Sequence, residues 1–426
     1  MKIQTLLLLL CPAALLARHS FGEQQFSLID GYRPWIEKYA SSYDPNVDND
    51  AWKTMKEIAN ENGFAHEEYK VTTSDGYILT LYRIPGFLNE TKPYAKKPVV
   101  LLQHGLEADS MQWVINSPDK ASAFNLVSEG FDVWLGNNRG CQYSVAHTTL
   151  DPVKNKTLFW DFDFEDMGTK DVPAEIDFIL ESTGQEKLSY VGHSEGTTQM
   201  FIGLSMLPEY YAEKMNLFVA LAPVASLNHT MSTALKIMAA NVDQVEHYLI
   251  DTLGMYNVFP PNYYTQWETA ELCSTMASFC SEFLTLIADL DPSVDNLNRT
   301  MTYLTHFPSG AGYRNLVHYA QLINSDKFLR YDFGTAINQQ KYGQSTPPEY
   351  PLEKINVPVG MFVGLEDELG DPEDCRWLHN KISKTVTYYK EYPFLGHMTF
   401  AIGKDMSFFQ VDAINLIKQY ATNSFE

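Results

Sequence analysis

Residues 190 to 200 read YVGHSEGTTQM, and in this stretch Ser194 stands between two glycines, each two positions away. An apolar run precedes the segment, and the residues that follow it have the pattern of a helix. A serine on a sharp strand-to-helix turn is held out over the edge of a sheet, where a Cβ atom at either glycine would clash with the neighbouring strand or helix. The pattern predicts a nucleophile; the alternative is a serine in an ordinary tight turn.

A serine hydroxyl needs a base to take its proton and an acid to orient that base. After the apolar run VPVGMFVG, the chain continues with LEDELGDPEDCRW. Asp371 followed by Pro372 is typical of a helix N-cap, and Asp374 then lies in the first helical turn, so both carboxylates have a structural explanation. Asp367 has none, and we predict that it is the acid of the triad, with Glu366 as its close alternative.

Two histidines, His379 and His397, follow the acid in the chain. His379 falls inside the helix that Asp371 is predicted to cap. His397, in YPFLGHMTF, directly follows the last predicted strand and is therefore the predicted base. His104 and His193 flank the site in sequence, and we expect both to shape turns through hydrogen bonds rather than to transfer protons.

The negative charge of a tetrahedral intermediate needs donors, and losing one typically costs about 3 kcal/mol of transition-state stabilisation. The predicted donors are the backbone N–H groups of Glu195 and of Leu106 in LQHGLEADS. The Glu195 carboxylate either turns away from the site or faces it. If it faces the site, it repels the developing charge, and Glu195→Gln is expected to gain activity mainly at neutral pH.

Motifs for metals and nucleotide cofactors do not occur in the sequence: there is no HExxH, paired CxxC, EF-hand loop, GxGxxG or P-loop. We therefore expect no cofactor. The formal net charge of −22 repels phosphate backbones and anionic headgroups, so nucleic-acid binding is set aside and any lipid contact must be mainly apolar.

Short apolar runs alternate with helical patterns over most of the chain, which indicates a parallel sheet covered by helices on both faces. The predicted strands are KPVVLLQHG, FDVWLGN, LSYVGHS, LFVALAP, VPVGMFVG and VTYYKEYP. Residues 67 to 86 contain a Ser-Asp-Gly turn between two alternating runs and predict an antiparallel hairpin at the sheet's edge.

This alternation stops between residues 226 and 349, a length that an inserted cap explains better than a loop does. The predicted organisation is a first core part (23–225), the cap or lid (226–349) and a second core part (350–426). Within the cap, Phe279, Phe283 and Ile287 belong to an amphipathic helical stripe. This stripe either packs on the cap's own core or meets lipid.

The first 22 residues combine a lysine, an apolar run and small polar residues, the pattern of a secretory signal peptide that is too short to span a membrane. Cleavage after Ala17 or Gly22 fits this pattern. No later apolar run reaches about 18 residues, so no transmembrane segment is expected. Sequons that agree with passage through the secretory pathway occur at Asn89, Asn155, Asn228 and Asn298.

Four cysteines remain after the signal, and they allow three pairings. They are Cys141, Cys273, Cys280 and Cys375. The local pair, Cys273 with Cys280, requires its segment to bend, because the two Cα atoms would lie roughly 10 Å apart in an unbroken helix. Buried free thiols are the alternative.

Several ordered segments resemble the acid lipases, the family of gastric lipase and lysosomal acid lipase, from about residue 45 to the C-terminus. They include VTTSDGYILTLYRIP, LLQHGLEADSMQW, GFDVWLGNNRG, YVGHSEGTT, YDFGTAINQQKYGQSTPPEY and GHMTF. The resemblance implies an α/β-hydrolase fold with a cap and lid that acts on triacylglycerols or cholesteryl esters without a cofactor. On the family's pattern, Ser194, Asp367 and His397 match the triad, and Leu106 and Glu195 match the oxyanion donors.

The resemblance also implies a lid-region disulfide between Cys273 and Cys280. The chain departs from the family at Glu195, where the family has glutamine, and in the shorter spacing of the two cysteines. We therefore expect a secreted or lysosomal lipase acting on neutral lipid at a lipid–water interface. The alternatives are a serine hydrolase of another substrate class and a non-catalytic lipid-binding relative.

Overall fold

The computed structural model describes residues 49–90, 97–261 and 288–421. Three predicted features lie outside the described residues: the signal peptide, the Cys273–Cys280 pair and the apolar stripe of the cap. They stay predictions.

The described residues form a nine-stranded sheet in the order β1-β2-β4-β3-β6-β7-β10-β11, with β5 paired to β2. A separate two-stranded sheet pairs β8 with β9. The strands are β1 Glu67–Thr72, β2 Tyr77–Ile84, β3 Val99–Gln103, β4 Asp132–Leu135, β5 Ala146–His147, β6 Leu188–His193, β7 Met215–Leu221, β8 Asn257–Val258, β9 Ala311–Gly312, β10 Val359–Gly364 and β11 Val386–Tyr392.

The six strands from β4 to β11 along this order are paired in parallel, while β1 and β2 form an antiparallel hairpin at one edge. Every residue of β3, β6 and β10 is buried, as expected for strands that are covered on both faces. The predicted mostly parallel sheet with an antiparallel hairpin at its edge is therefore confirmed.

Helices cover both faces of this sheet and build two buried apolar clusters, one on each face. The α-helices are α1 Met55–Glu61, α2 Ser122–Ser128, α3 Lys156–Phe159, α4 Phe164–Asp166, α5 Val172–Thr183, α6 Glu195–Met206, α7 Pro208–Lys214, α8 Thr233–Ala239, α9 Val242–His247, α10 Thr300–His306, α11 Tyr313–Ile323, α12 Thr335–Tyr342, α13 Pro372–Lys381, α14 Thr399–Ile402 and α15 Ile414–Tyr420.

Helices α8 to α12 lie in the long segment between β7 and β10, where the sequence predicts the cap. From this segment, α11 packs against the start of α6, since the Tyr319 hydroxyl donates to Thr198 Oγ1 at 3.3 Å. Within the three described ranges, no helix is long and apolar enough to cross a membrane.

Candidate active site

Ser194 occupies the sharp turn between β6 and α6, with φ 54° and ψ −117°. A positive φ is unusual for a residue with a side chain and marks a backbone held under strain by its surroundings. The Ser194 N–H donates to the Leu221 carbonyl at 3.1 Å, which fixes the turn against the neighbouring strand β7. The strand–turn–helix context predicted for Ser194 is therefore present.

The glycines around Ser194 allow a very close approach of three backbone segments. A Cβ atom on Gly192 would lie 2.5 Å from the Gly196 carbonyl oxygen, and one on Gly196 would lie 2.5 Å from the Gln103 carbonyl oxygen. A Cβ atom on Gly105, just past β3, would lie 3.1 Å from the Ser194 Cβ atom. The predicted steric need for glycine at positions 192 and 196 is confirmed.

Asp367 lies past the end of β10, where its carboxylate contacts the His397 imidazole. His397 Nδ1 donates to Asp367 Oδ1 and Oδ2 at 3.0 and 2.9 Å. The backbone N–H groups of Leu369 and Gly370 donate to Asp367 Oδ1 at 2.9 and 2.7 Å. These bonds fix the carboxylate and favour the tautomer in which His397 Nε2 is unprotonated and can accept a proton.

His193 joins the turn at Ser194 to the loop that carries His397, residues 393–398, which we call the histidine loop. Burial, together with repulsion from His397, lowers the pKa of His193 to about 3, so this ring stays neutral. Its Nε2–H donates to the His397 carbonyl oxygen at 2.9 Å, and the two imidazole rings lie 5.0 Å apart. Since His193 immediately precedes Ser194, this bond brings the predicted nucleophile and the predicted base to the same end of the sheet.

The other polar residues weighed in the sequence have the structural roles expected of them. His104 Nδ1–H donates to the Gly105 carbonyl at 2.8 Å, and its Nε2 accepts the Asn138 N–H at 3.0 Å. Asp371 caps α13 by accepting the Glu373 N–H at 2.8 Å, and His379 lies within that helix. His104 and Asp371 thus position backbone groups, while the His379 ring lies against the Tyr389 ring.

The loop after β3 carries the first predicted oxyanion donor. Leu106 directly follows Gly105, which lies against the Ser194 side chain. The next residue, Glu107, has a positive φ of 57°. The Ser309 N–H donates to the Glu107 carbonyl at 2.6 Å, which braces this loop from the segment between β7 and β10. The second predicted donor, Glu195, is the first residue of α6, and an N–H in that position has no acceptor within its own helix.

The Glu195 side chain is buried and accepts a hydrogen bond from Asn315 Nδ2 of α11. Burial raises the pKa of Glu195 to about 8, although the Asn315 bond opposes this shift. Burial and repulsion from Glu195 also raise the pKa of Glu107 well above its usual value, and Glu107 Oε1 has no hydrogen-bond partner within the described ranges. The sequence patterns did not predict this second carboxyl group, although an acidic residue directly after Leu106 was the available signal.

We expect Glu195→Gln to leave kcat/KM unchanged in acid and to raise it relative to the unaltered chain as the pH passes about 8. Below its pKa the carboxyl group is neutral, as glutamine is; above it, the ionised group repels the developing oxyanion. The ratio of the two kcat/KM values should reach about tenfold by pH 9. The pKa of about 8 moves the predicted gain from neutral to alkaline pH.

The same pH–rate profiles, recorded for Glu209→Gln, provide the control, because Glu209 is exposed on the first turn of α7. This variant should follow the unaltered chain at every pH. Superimposable profiles for Glu195→Gln and the unaltered chain would mean that only the backbone of Glu195 takes part in the reaction.

Cys141 and Cys375 are buried free thiols, so all three complete pairings of the four cysteines are wrong. Only the local pair, Cys273 with Cys280, or free thiols throughout, stays open.

All four predicted glycosylation sites, Asn89, Asn155, Asn228 and Asn298, are exposed.

Comparison with known proteins identifies relatives over most of the chain. The sequence matches the family described as "partial alpha/beta-hydrolase lipase region" over residues 55–117 and the "alpha/beta hydrolase fold" over residues 98–249. Lipase member K of Homo sapiens is 37% identical over 89% of this chain and 94% of its own. Gastric triacylglycerol lipase of Homo sapiens is 38% identical over 80% of this chain and 85% of its own.

A Crotalus adamanteus protein that bears the name lysosomal acid lipase/cholesteryl ester hydrolase is 37% identical over 84% of this chain and 88% of its own. Among solved structures, a crystal structure from Sulfolobus solfataricus has the same fold, with a TM-score of 0.53 at 15% identity over 84% of this chain and 94% of that one.

The fold and these relatives define the class of protein: an ester hydrolase with the α/β-hydrolase fold. Within that class, the chain belongs to the lipase family that includes gastric triacylglycerol lipase and lipases K and M, and it is a lipase.

Proposed function

We propose that this lipase hydrolyses carboxylic esters of neutral lipids, triacylglycerols or cholesteryl esters, with Ser194 as nucleophile, His397 as base and Asp367 as the acid that orients it. The observation that carries the proposal is the His397 Nδ1–Asp367 contact, held beside the strained turn at Ser194 through His193. The names of the relatives support the substrate class.

In the first half of the reaction, His397 Nε2 takes the Ser194 hydroxyl proton as Oγ attacks the ester carbonyl carbon. The N–H groups of Leu106 and Glu195 stabilise the oxyanion. When the tetrahedral intermediate collapses, the bond to the alcohol oxygen breaks and His397 returns the proton to that oxygen. The alcohol leaves, and the acyl group stays esterified to Ser194.

In the second half, His397 takes a proton from a water molecule, whose oxygen attacks the acyl carbonyl carbon. The second tetrahedral intermediate breaks the bond to Ser194 Oγ, and the proton passes from His397 to that oxygen. Fatty acid leaves and the serine is regenerated. Throughout, the negative charge of Asp367 stabilises the imidazolium form of His397.

Three exposed apolar side chains favour lipid over a dissolved ester as substrate. Met231, Leu290 and Phe394 are 51, 51 and 72% exposed. All three lie beside residues 366–368. The Met231 N–H donates to the Glu368 carbonyl at 2.8 Å, and the Leu290 N–H donates to the Glu366 carbonyl at 3.0 Å. Phe394 is next to Leu395, whose carbonyl accepts the Glu366 N–H. The three side chains therefore form an exposed apolar patch beside the loop that carries Asp367, residues 365–371, which we call the acid loop. Such a patch can bind a neutral lipid surface.

The substrate class is tested with emulsified triacylglycerol, emulsified cholesteryl ester and a dissolved short-chain ester, assayed side by side. We expect hydrolysis of at least one emulsified lipid at a rate above that on the dissolved ester. Hydrolysis confined to the dissolved ester would instead favour the alternative, a serine carboxylesterase of another substrate class.

In the same assay, the triple variant Met231→Ser, Leu290→Ser, Phe394→Ser should lose about tenfold or more on emulsified lipid and little on the dissolved ester, because the lost apolar area contacts only the lipid surface. Val153→Ser is the control, since Val153 is 63% exposed and lies before α3. Equal losses on both substrates would contradict a lipid-binding role for these three side chains.

The proposal also covers the localisation of the protein and its division into domains. A signal peptide in residues 1–22 and glycans on the four exposed sequons would take the chain through the secretory pathway to the outside of the cell or the lysosomal lumen. The division into core (23–225 and 350–426) and cap (226–349) remains part of the proposal.

A further inference from the structure

Residues 288–299, in the segment between β7 and β10, lie against the two loops that carry the predicted acid and base. The Glu368 N–H donates to the Ala288 carbonyl at 3.0 Å, which joins this segment to the acid loop. The Asn296 N–H donates to the Ile402 carbonyl at 2.7 Å, and the Lys404 N–H donates to the Val294 carbonyl at 2.9 Å. These bonds fix the segment to the loop that carries Asp367 and to the residues that follow His397.

Two aspartates of this segment, Asp289 and Asp295, are each 0% exposed and face one another beneath the histidine loop. Asp289 Oδ1 accepts the Met398 N–H at 3.0 Å. The Asp295 carboxyl group faces the hydroxyl of Thr399, whose Oγ1 accepts the Gly396 N–H at 3.1 Å. The two carboxyl groups therefore contact residues on both sides of His397.

The facing oxygens of these two carboxyl groups lack donors. Asp289 Oδ2 and both carboxylate oxygens of Asp295 meet no donor at hydrogen-bond geometry among the described residues, although the Thr399 hydroxyl lies close enough to Asp295 to favour its ionised form. Two buried carboxylates cannot both be ionised at contact distance without a large electrostatic cost, whereas one proton between them supplies the missing donor. The described part of the chain also has no group of three or more His, Cys, Asp or Glu side chains that could hold a metal ion in its place.

The charges around the pair reinforce this conclusion. Asp367 repels a charge on Asp289, and exposed Asp291 repels one on Asp295, while Lys404 attracts it. The backbone N–H groups of Met398 and His397 favour the ionised form of Asp289 but do not offset burial. Burial raises the pKa of Asp295 to about 6 and that of Asp289 well above its usual value.

We propose that Asp289 and Asp295 share one proton and that this proton-linked pair positions the loop that carries His397. The inference rests on the proposed function in that His397 is taken as the base. With the proton in place, a hydrogen bond between the carboxyl groups holds residues 396–399 against the segment 288–299. When the pair loses that proton, two buried negative charges repel each other and the histidine loop loses this support.

The test is the pH dependence of kcat/KM on a dissolved short ester for Asp289→Asn and Asp295→Asn. Either amide supplies the missing donor at every pH and cannot ionise. The ratio of each variant's kcat/KM to that of the unaltered chain should therefore rise about tenfold between acid and alkaline pH, mainly through kcat. Asp291→Asn is the matched control: it removes a carboxylate from the same segment but leaves both buried carboxyl groups in place. Asp291 is exposed and accepts the Ser293 N–H, and solvent screens its repulsion of Asp295, so its ratio should change by less than about twofold over the same pH range.

A second readout needs no catalysis: the melting temperature against pH, measured in Ser194→Ala chains with and without Asp289→Asn. A carboxyl group whose pKa is raised by folding stabilises the fold at pH values below its unfolded pKa, and this stability is lost as the pH rises through the folded pKa. The melting temperature should therefore fall more steeply with rising pH when Asp289 is present.

Parallel pH profiles and parallel melting curves for all these chains would overturn the proposal. It would also be overturned if EDTA abolished the activity of the unaltered chain and calcium restored it, because the two carboxylates would then hold a cation rather than a proton. A chain without esterase activity but with the expected melting curves would contradict the proposed function and leave the proton-sharing pair standing.

Discussion

Replacing Ser194 by alanine is expected to lower kcat for ester hydrolysis by more than about 10⁴-fold, because the reaction then has no atom to form the acyl intermediate. The substitution removes only Oγ, while the hydrogen bonds that fix the turn belong to the backbone: Ser194 N–H to Leu221 O, and Thr197 N–H to Ser194 O at 2.8 Å. Initial rates on a dissolved ester provide the measurement.

The melting temperature of this variant shows whether a loss of activity comes from unfolding. The melting temperature of Ser194→Ala should stay within about 2 °C of that of the unaltered chain, since no buried contact is lost. A variant that remains folded and retains full activity would show that another residue is the nucleophile.

Asp367→Asn is expected to lower kcat by about 10⁴-fold with little change in KM. The asparagine carbonyl can keep the N–H bonds of Leu369 and Gly370, so its Nδ2 group then faces His397 Nδ1. Two donors cannot pair, and the imidazole adopts the tautomer with a protonated Nε2, which cannot accept the serine proton. Steady-state kinetics on the dissolved ester measure the effect.

Glu366→Gln is the matched control for this change, because it neutralises the neighbouring carboxylate, the alternative acid in the sequence. The Glu366 N–H donates to the Leu395 carbonyl at 3.0 Å, a backbone contact that the substitution keeps. It should retain most of the activity. A large loss in Glu366→Gln, with a small one in Asp367→Asn, would transfer the role of the acid to Glu366.

Much of the candidate site could be predicted from the sequence, because its parts depend on local patterns. The strand that leads to Ser194 is a short apolar run, and the need for glycine at positions 192 and 196 follows from the tight turn. Asp367 and His397 each follow a strand of the same parallel sheet, and the carboxyl ends of parallel strands meet at one edge. Chain order therefore narrowed the candidates, and helix-capping patterns then favoured Asp367 over Asp371 and Asp374, and His397 over His379.

The carboxyl groups around the site could not be found in this way, since their environment depends on contacts between distant segments. Glu107 and Glu195 are 88 positions apart, and their raised pKa values come from burial that no local pattern encodes. No local pattern in ADLDPSVDN marks Asp289 and Asp295 as buried, and only the packing of residues 288–299 on the histidine loop buries them. Their effect on the reaction therefore became visible only in the folded chain.

Covalent labelling by a fluorophosphonate, followed by peptide mapping with mass spectrometry, tests the assignment of Ser194 most directly. We expect one phosphonyl group per chain, on the peptide that contains Ser194, with slower labelling of Asp367→Asn and none of Ser194→Ala. An adduct on a different serine, or rapid ester hydrolysis by a chain whose Ser194 stays unlabelled, would contradict it.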